Sequence, residues 1–234
     1  MSRSLPKRRR IYLMRHGSVD YFREDGSAVP PDTVPLNALG RDQADAAGRL
    51  FAQCGVQFDS VLVSGLPRTV ETATRVLAAG AQPELHLLHE PALEEIRPGR
   101  LADIPKHEIE AAFLGAFRVG PNVQSQRFLG GESVGELLDR VLPAFDALLA
   151  RSDWQCLLMV MHGGVNRALL SRVLAGERAF FGRLEQAPAC INVIDVGAND
   201  QIVRAVNLAP TQWLHERETM TTMEKLLAQF LRQA

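Results

Sequence analysis

The segment Cys156–Met161, CLLMVM, constrains the fold more than any other part of this chain. Six consecutive apolar residues suit a strand covered on both faces, the position of a central strand in a parallel sheet. Parallel strands need long crossover connections, and the rest of the sequence supplies them. Short apolar runs at 11–14, Ser60–Val63 and 85–88 alternate with segments of helical period. Helices are predicted over 41–54, 68–78, 106–117, 132–150, 166–174 and 219–233. Two last strands, 190–196 and 202–207, flank a turn at Gly197 to Asp200. The expected fold is an α/β three-layer sandwich, with a mostly parallel central sheet and helices on both faces. Residues 98–131, rich in glycine and proline, read as a small insertion over the carboxyl edge. Residues 1–9 read as a flexible basic tail, and residues 10–234 as a single domain.

In such a sheet, ligands bind beyond the carboxyl ends of the strands. Three strand ends here carry cationic or ionisable groups. Arg15-His16-Gly17 follows the first strand, Ser64-Gly-Leu-Pro-Arg68 the second, and His162-Gly163-Gly164 the run CLLMVM. Glycine after each histidine lets backbone amides approach a ligand, and helix starts just beyond favour an anion. A phosphoryl group suits this arrangement, because its transition state spreads negative charge over three oxygens. Arg15 and Arg68 are the candidate clamps, since a guanidinium pairs with two phosphate oxygens at once. A histidine stays unprotonated in a cationic pocket near neutral pH and can act as nucleophile. The leaving alkoxide then needs a proton, which a carboxyl group can supply.

Composition closes off other classes. The 234 residues are 46% hydrophobic and 23% charged, with a formal net charge of −1, so no overall field steers the chain to nucleic acid. No run approaches the roughly 20 apolar residues of a membrane span, and the start MSRSLPKRRR lacks the apolar stretch of a signal peptide. A cytoplasmic protein is expected. Three cysteines without close spacing suggest neither a disulfide framework nor a zinc site, and Cys156 and Cys190 are expected to be buried.

Six segments, in order, resemble the signature words of the histidine phosphatase superfamily, which includes the phosphoglycerate mutases. They are Arg15-His16-Gly17, the stretch from Leu39 to Ala44, the stretch from Ser64 to Ala73, Leu93-Glu94-Glu95 with Gly99, Gly130-Gly131-Glu132-Ser133, and His162-Gly163-Gly164. The resemblance implies that His16 accepts the phosphoryl group and that Glu95 is the general acid and later the base. It implies that Arg15, Arg68, His162 and the Gly163 backbone bind phosphate, with His162 cationic when phosphate is present. It implies no cofactor and no metal. Two departures bear on specificity. Many relatives carry an asparagine shortly after the first histidine, where this chain has Ser18 to Phe22. The common G-x-W-x-G is here Gly99-Arg-Leu-Ala-Asp103. Ser18, Asn37, Arg97 and Arg100 are candidate substrate contacts, while Glu132 and Ser133 read as helix-start residues.

The expected function is hydrolysis of a small phosphomonoester. Phosphoglycerate mutase-type transfer is the alternative. It needs a basic lining to retain a bisphosphate, and Lys106, Arg118 and Arg127 are scattered in the insertion. A non-catalytic phosphoprotein-binding module is the third reading, and it predicts a damaged catalytic set. The expected partner is a small phosphorylated metabolite, with no nucleic acid and no membrane. The apolar stripe of the last helix, Met220, Met223, Leu226, Leu227 and Phe230, is expected to pack on the core, with a homodimer seam as the other use.

Overall fold

The run CLLMVM lies at the centre of a six-stranded sheet in a computed structural model that describes residues 7–23, 27–118, 120–176, 178–216 and 218–232. In chain order the elements are β1 (Arg9–Arg15), α1 (Ala38–Gln53), β2 (Ser60–Val63), α2 (Pro67–Ala79), β3 (Leu87–His89), α3 (Ile109–Gly115), α4 (Val134–Ala150), β4 (Cys156–Met161), α5 (Gly163–Ala175), β5 (Ile191–Val196), β6 (Gln201–Leu208) and α6 (Thr222–Leu231). The strand order is β3-β2-β4-β1-β5-β6. The first four strands run parallel, β5 pairs antiparallel with β1, and β6 pairs antiparallel with β5.

Two apolar layers cover the sheet. On one face Ile11, Leu13, Leu157, Met159 and Met161 meet α4 and α5 through Leu137, Leu138, Val141, Ala168 and Leu169. On the other, Met14, Val61, Val63, Leu158 and Val160 meet α1 and α2 through Ala44, Ala47, Phe51, Ala73 and Val76. Alternate residues of β4 thus face opposite layers, which is why every second position had to be apolar as well as every first.

The N-terminal boundary differs from the expected tail. Arg9 opens β1, donates to the carbonyls of Arg151 and Leu149, and lies over the Trp154 ring at 4.0 Å. Arg8 pairs with Asp200 at 2.7 Å, and Arg10 pairs with Asp195 at 2.7 Å. The basic cluster is therefore consumed by carboxylates and carbonyls of the β5–β6 turn, β5 itself and the end of α4; residues 1–6 lie outside the described residues. Cys190 is buried, but Cys156 is only half-buried, because it opens β4 at the amino end of the strand beside Asp59.

The insertion carries α3 and several single turns. Its apolar residues Phe113 and Leu129 pack against Leu227, with Met223, Leu226 and Phe230 of α6 around them. Met223, Leu226, Leu227 and Phe230 thus meet the insertion, and Met223 also packs against the cluster of the sheet layer, whereas Met220 precedes the helix and is exposed, against the expectation for it. Among the described residues no helix is long and apolar enough to cross a membrane.

Candidate active site

Sheet register brings the two histidines together. β1 and β4 are neighbours in parallel register, with Arg15 opposite Met161, so the next residues, His16 and His162, emerge side by side. Their rings lie 5.3 Å apart. β2 flanks β4 on the other side, and Ser64 at its end lies 2.8 Å from His162 Nε2. Arg68 follows on the first turn of α2, whose start is set by Pro67.

The turn after β1 is held from several directions. Gly17 N–H donates to the Thr72 hydroxyl at 3.1 Å, and Ser18 N–H to Gln43 Oε1 at 2.9 Å. A Cβ on Gly17 would lie 2.4 Å from the Gly40 carbonyl oxygen, so α1 reaches the turn only because both residues are glycine. Asn37 caps α1 by accepting from Gly40 N–H at 2.8 Å, and its amide nitrogen reaches Asp20 at 3.1 Å and the Ser18 hydroxyl at 3.4 Å. Both expected contact residues, Ser18 and Asn37, are thus engaged in building the turn.

The chemistry of His16 follows from its surroundings. Nδ1 lies 2.7 Å from the Gly17 carbonyl, an acceptor only, so Nδ1 carries the proton and Nε2 carries the lone pair. Burial, then the charges of Arg68 and Arg15, hold its pKa well below 6.5. Burial comes first among these causes, ahead of the cationic neighbours. His162 is likewise held well below 6.5, by burial and then by Arg68, so it is neutral in this structure. The positive charge implied for it requires a bound anion.

Arg15, His16, Arg68 and His162 expose 7%, 2%, 2% and 0% of their surface. Arg15 Nη1 donates to the Gln186 carbonyl at 2.5 Å and to the Thr222 hydroxyl at 3.0 Å. Arg68 Nη1 donates to the Pro31 carbonyl at 2.6 Å. Among the described residues, Nε of both arginines is buried without a partner, and so are Nε of Arg167 and Nδ1 of His162.

Glu95 stands at the start of α5. Its carboxylate accepts from Gly164 N–H at 3.0 and 3.1 Å, and from Ile96 N–H at 3.0 Å. A Cβ on Gly163 would lie 3.2 Å from Arg167 Nη1, 3.7 Å from Arg15 Nε and 3.7 Å from Glu95 Oε2. Gly163 is therefore the floor on which both arginines and the acid converge. Glu94 turns away toward Arg97 at 3.6 Å. Arg97 and Arg100 are exposed, and the structure gives Arg97 no partner in the buried set beyond its backbone bond to Glu132.

Glu132 and Ser133 divide the work at the next helix start. Ser133 caps α4 in a reciprocal pair with Glu136. Glu132 instead pairs with Arg140 at 2.8 Å, and Arg140 donates to the carbonyls of Ala92, Glu94 and Glu95. This strut holds the backbone of the acid loop.

Four contributors were not singled out from the sequence as site residues: Arg167, Glu185, Thr222 and Arg140. Arg167 had a signal, since it lies four residues after Gly163 and so one helical turn above it. Glu185 and Thr222 had none, because only the folded chain brings them to Arg15. Among the described residues no three His, Cys, Asp or Glu side chains gather as a metal-holding group.

Neutral imidazoles, buried guanidiniums with free Nε atoms and one carboxylate at a helix start thus gather beyond the carboxyl ends of the strands of an α/β sandwich. Comparisons with known proteins show the family and the fold. The chain belongs to the histidine phosphatase superfamily (branch 1), whose pattern it matches over residues 11–209. It is 31% identical over 171 residues to a 2,3-bisphosphoglycerate-dependent phosphoglycerate mutase of Bartonella bacilliformis, covering 70% of this chain and 80% of that protein. It is 34% identical over 170 residues to the mutase of the same description from Methylobacterium radiotolerans, covering 69% and 77%. The crystal structure of the alpha-ribazole phosphatase from Shigella flexneri superposes with a TM-score of 0.68 at 25% identity, covering 85% of this chain and 96% of that one. Its relatives are phosphatases and mutases, which supports an enzyme.

Proposed function

We propose that the protein hydrolyses a small phosphomonoester through a phosphohistidine on His16. The observation that carries this reading is the group of four partnerless buried nitrogens, Nε of Arg15, Arg68 and Arg167 and Nδ1 of His162. An unpaired buried donor costs about 1–3 kcal/mol, so four in one site are tolerated where an anion satisfies them. A phosphoryl group offers the required oxygens.

In this mechanism His16 Nε2 attacks phosphorus, the P–N bond forms and the ester P–O bond breaks. Glu95 enters protonated and gives its proton to the leaving oxygen. Its carboxylate then takes a proton from water as the water oxygen attacks phosphorus. The P–N bond breaks, and inorganic phosphate and neutral His16 are restored. The Gly17 carbonyl keeps the Nδ1 proton in place throughout, which stabilises the positive charge that builds on the ring. Ser64 beside His162 Nε2 can donate there, leaving the proton on Nδ1 for the anion. No residue here requires a resident metal for these roles.

A second reading has a specific observation behind it. The relatives above are described as mutases, and a mutase-type reaction on this site would pass the phosphoryl group to a second hydroxyl and not to water. Hydrolysis is preferred because the cations outside the buried set are exposed and partly neutralised. Arg97 faces Glu94, Arg127 faces Glu136, and Lys106 and Arg118 lie on the surface. The deciding experiment incubates purified protein with p-nitrophenyl phosphate, and separately with 3-phosphoglycerate plus 2,3-bisphosphoglycerate. Release of phosphate from the first, lost in His16→Ala, supports the hydrolase. Conversion to 2-phosphoglycerate faster than phosphate release would replace it with the mutase. Loss of neither activity in His16→Ala would remove both.

A further inference from the structure

We propose that Thr222 on α6, beyond the family-matched residues, is a positioning residue that sets the Arg15 guanidinium for phosphate, and that Glu185 fixes the Thr222 hydroxyl in the orientation this needs. The proposal rests on the reading of Arg15 as a phosphate clamp.

Five hydrogen bonds define the device. A hydroxyl has one proton to give, and an ionised carboxylate can only accept. Thr222 Oγ1 lies 2.5 Å from Glu185 Oε1, so its proton points there. Its lone pairs are then left to accept from Arg15 Nη1 at 3.0 Å. Glu185 is fixed in turn, since Oε2 accepts from the buried Arg167 at 3.0 Å and Oε1 also accepts from Thr222 N–H at 3.2 Å. The neighbouring Gln186 carbonyl takes the same Nη1 from the other side at 2.5 Å. Two oxygens on one nitrogen define the plane of the fork. With Nη1 engaged, the partnerless Nε faces Gly163, 3.7 Å from where its Cβ would be.

The helix is placed firmly enough to act this way. Thr221 caps it with Glu224, which fixes Thr222 as its first residue. Met223, Leu227 and Phe230 anchor it on Phe113 and Leu129 of the insertion, and Phe230 meets Phe22 edge-on at 5.8 Å. A segment that served only to cover apolar surface would not need a hydroxyl aimed at a buried clamp, nor a carboxylate shared between that hydroxyl and a second buried arginine.

The test compares Thr222→Val, which keeps the shape without the hydroxyl, with Thr222→Ser, which keeps the hydroxyl. KM for p-nitrophenyl phosphate and the dissociation constant of inorganic phosphate by calorimetry are measured for both and for the wild-type protein. Thr222→Val is expected to raise both constants about tenfold, the loss of one hydrogen bond to a charged group, and Thr222→Ser to stay within about twofold of wild type. Glu185→Gln should move both constants in the direction of Thr222→Val. Equal behaviour of Thr222→Val and wild type overturns the proposal, and so does a Thr222→Ser as weak as Thr222→Val. Should the wild-type protein bind phosphate but turn over no phosphoester, the hydrolase reading falls, while a tenfold weaker phosphate affinity in Thr222→Val still upholds the positioning role.

Discussion

His16 and His162 are two imidazoles that the fold keeps neutral at a pH where free histidine begins to protonate. In the unfolded chain both titrate near the ordinary value of about 6.5. Below that pH the unfolded chain binds protons that the folded chain refuses, so stability is full above about 6.5 and falls as pH drops below it. The slope is about 1.4 kcal/mol per pH unit for each histidine, until the carboxylates add their own loss. Urea unfolding in phosphate-free buffer between about pH 7 and about pH 5.5 should reveal this slope, and His16→Asn should remove about half of it. A wild-type stability flat across that interval would mean that neither ring is held neutral. Inorganic phosphate should flatten the slope, because an anion beside His162 favours its charged form. These residues were legible because each sits within two residues of the end of an apolar run, where a polar side chain is otherwise out of place. Arg97 and Arg100 followed the acid closely in sequence, but both side chains are exposed, while Gly99 between them packs on the backbone of Leu129 to Gly131.

At the scale of single elements, the start of α5 carries the most function for its length. The helix begins at Gly163, three residues before the periodic pattern suggests, because two glycines hide the first turn from any propensity argument. Those glycines admit Glu95. A Cβ on Gly164 would lie 2.6 Å from Glu95 Oε1, so Gly164→Ala must push the carboxylate off the Gly164 and Ile96 amides. Alanine itself favours a helix more than glycine does, by about 1 kcal/mol, which offsets part of the strain. Activity should therefore fall by at least about tenfold on alkyl phosphates while the melting temperature changes little, and p-nitrophenyl phosphate, which needs less proton donation, should be hurt less. Equal losses on both substrates would count against Glu95 as the acid. The strut from α4 makes a contrasting case. Arg140→Met leaves Glu132 largely buried without its partner and frees three carbonyls, so it should cost about 3 kcal/mol of stability as well as activity. A variant as stable as wild type in chemical denaturation would show that the acid loop holds itself. Nothing in the sequence pointed to Arg140, since its carbonyl partners lie 45 to 48 residues away on a loop without periodicity.

At the scale of the molecule, the three-layer arrangement was legible because β4 is apolar on both faces and because helices separate the parallel strands. The packing of α6 on the insertion was not, since an apolar stripe says that something is covered and not by what. That packing joins two parts of the chain far apart in sequence, and α6 also carries Thr222, which lies beside Arg15. Stability and substrate affinity should therefore be separable by position. Leu148 at the far end of α4 and Leu227 on α6 are the same residue type with similar exposure, 6% and 7%. Truncation to alanine should cost each about 2–3 kcal/mol. Leu148 packs in the sheet layer beside Trp154, remote from the strand ends that carry the site, so Leu148→Ala should lower the urea midpoint and leave KM alone. Leu227→Ala loosens the helix that holds the Arg15 fork, so it should lower the midpoint and also raise KM several-fold. If both variants shift KM equally, the C-terminal helix supports the pocket only through global stability; if Leu227→Ala alone does so, the insertion and the last helix act on the phosphate site as one unit.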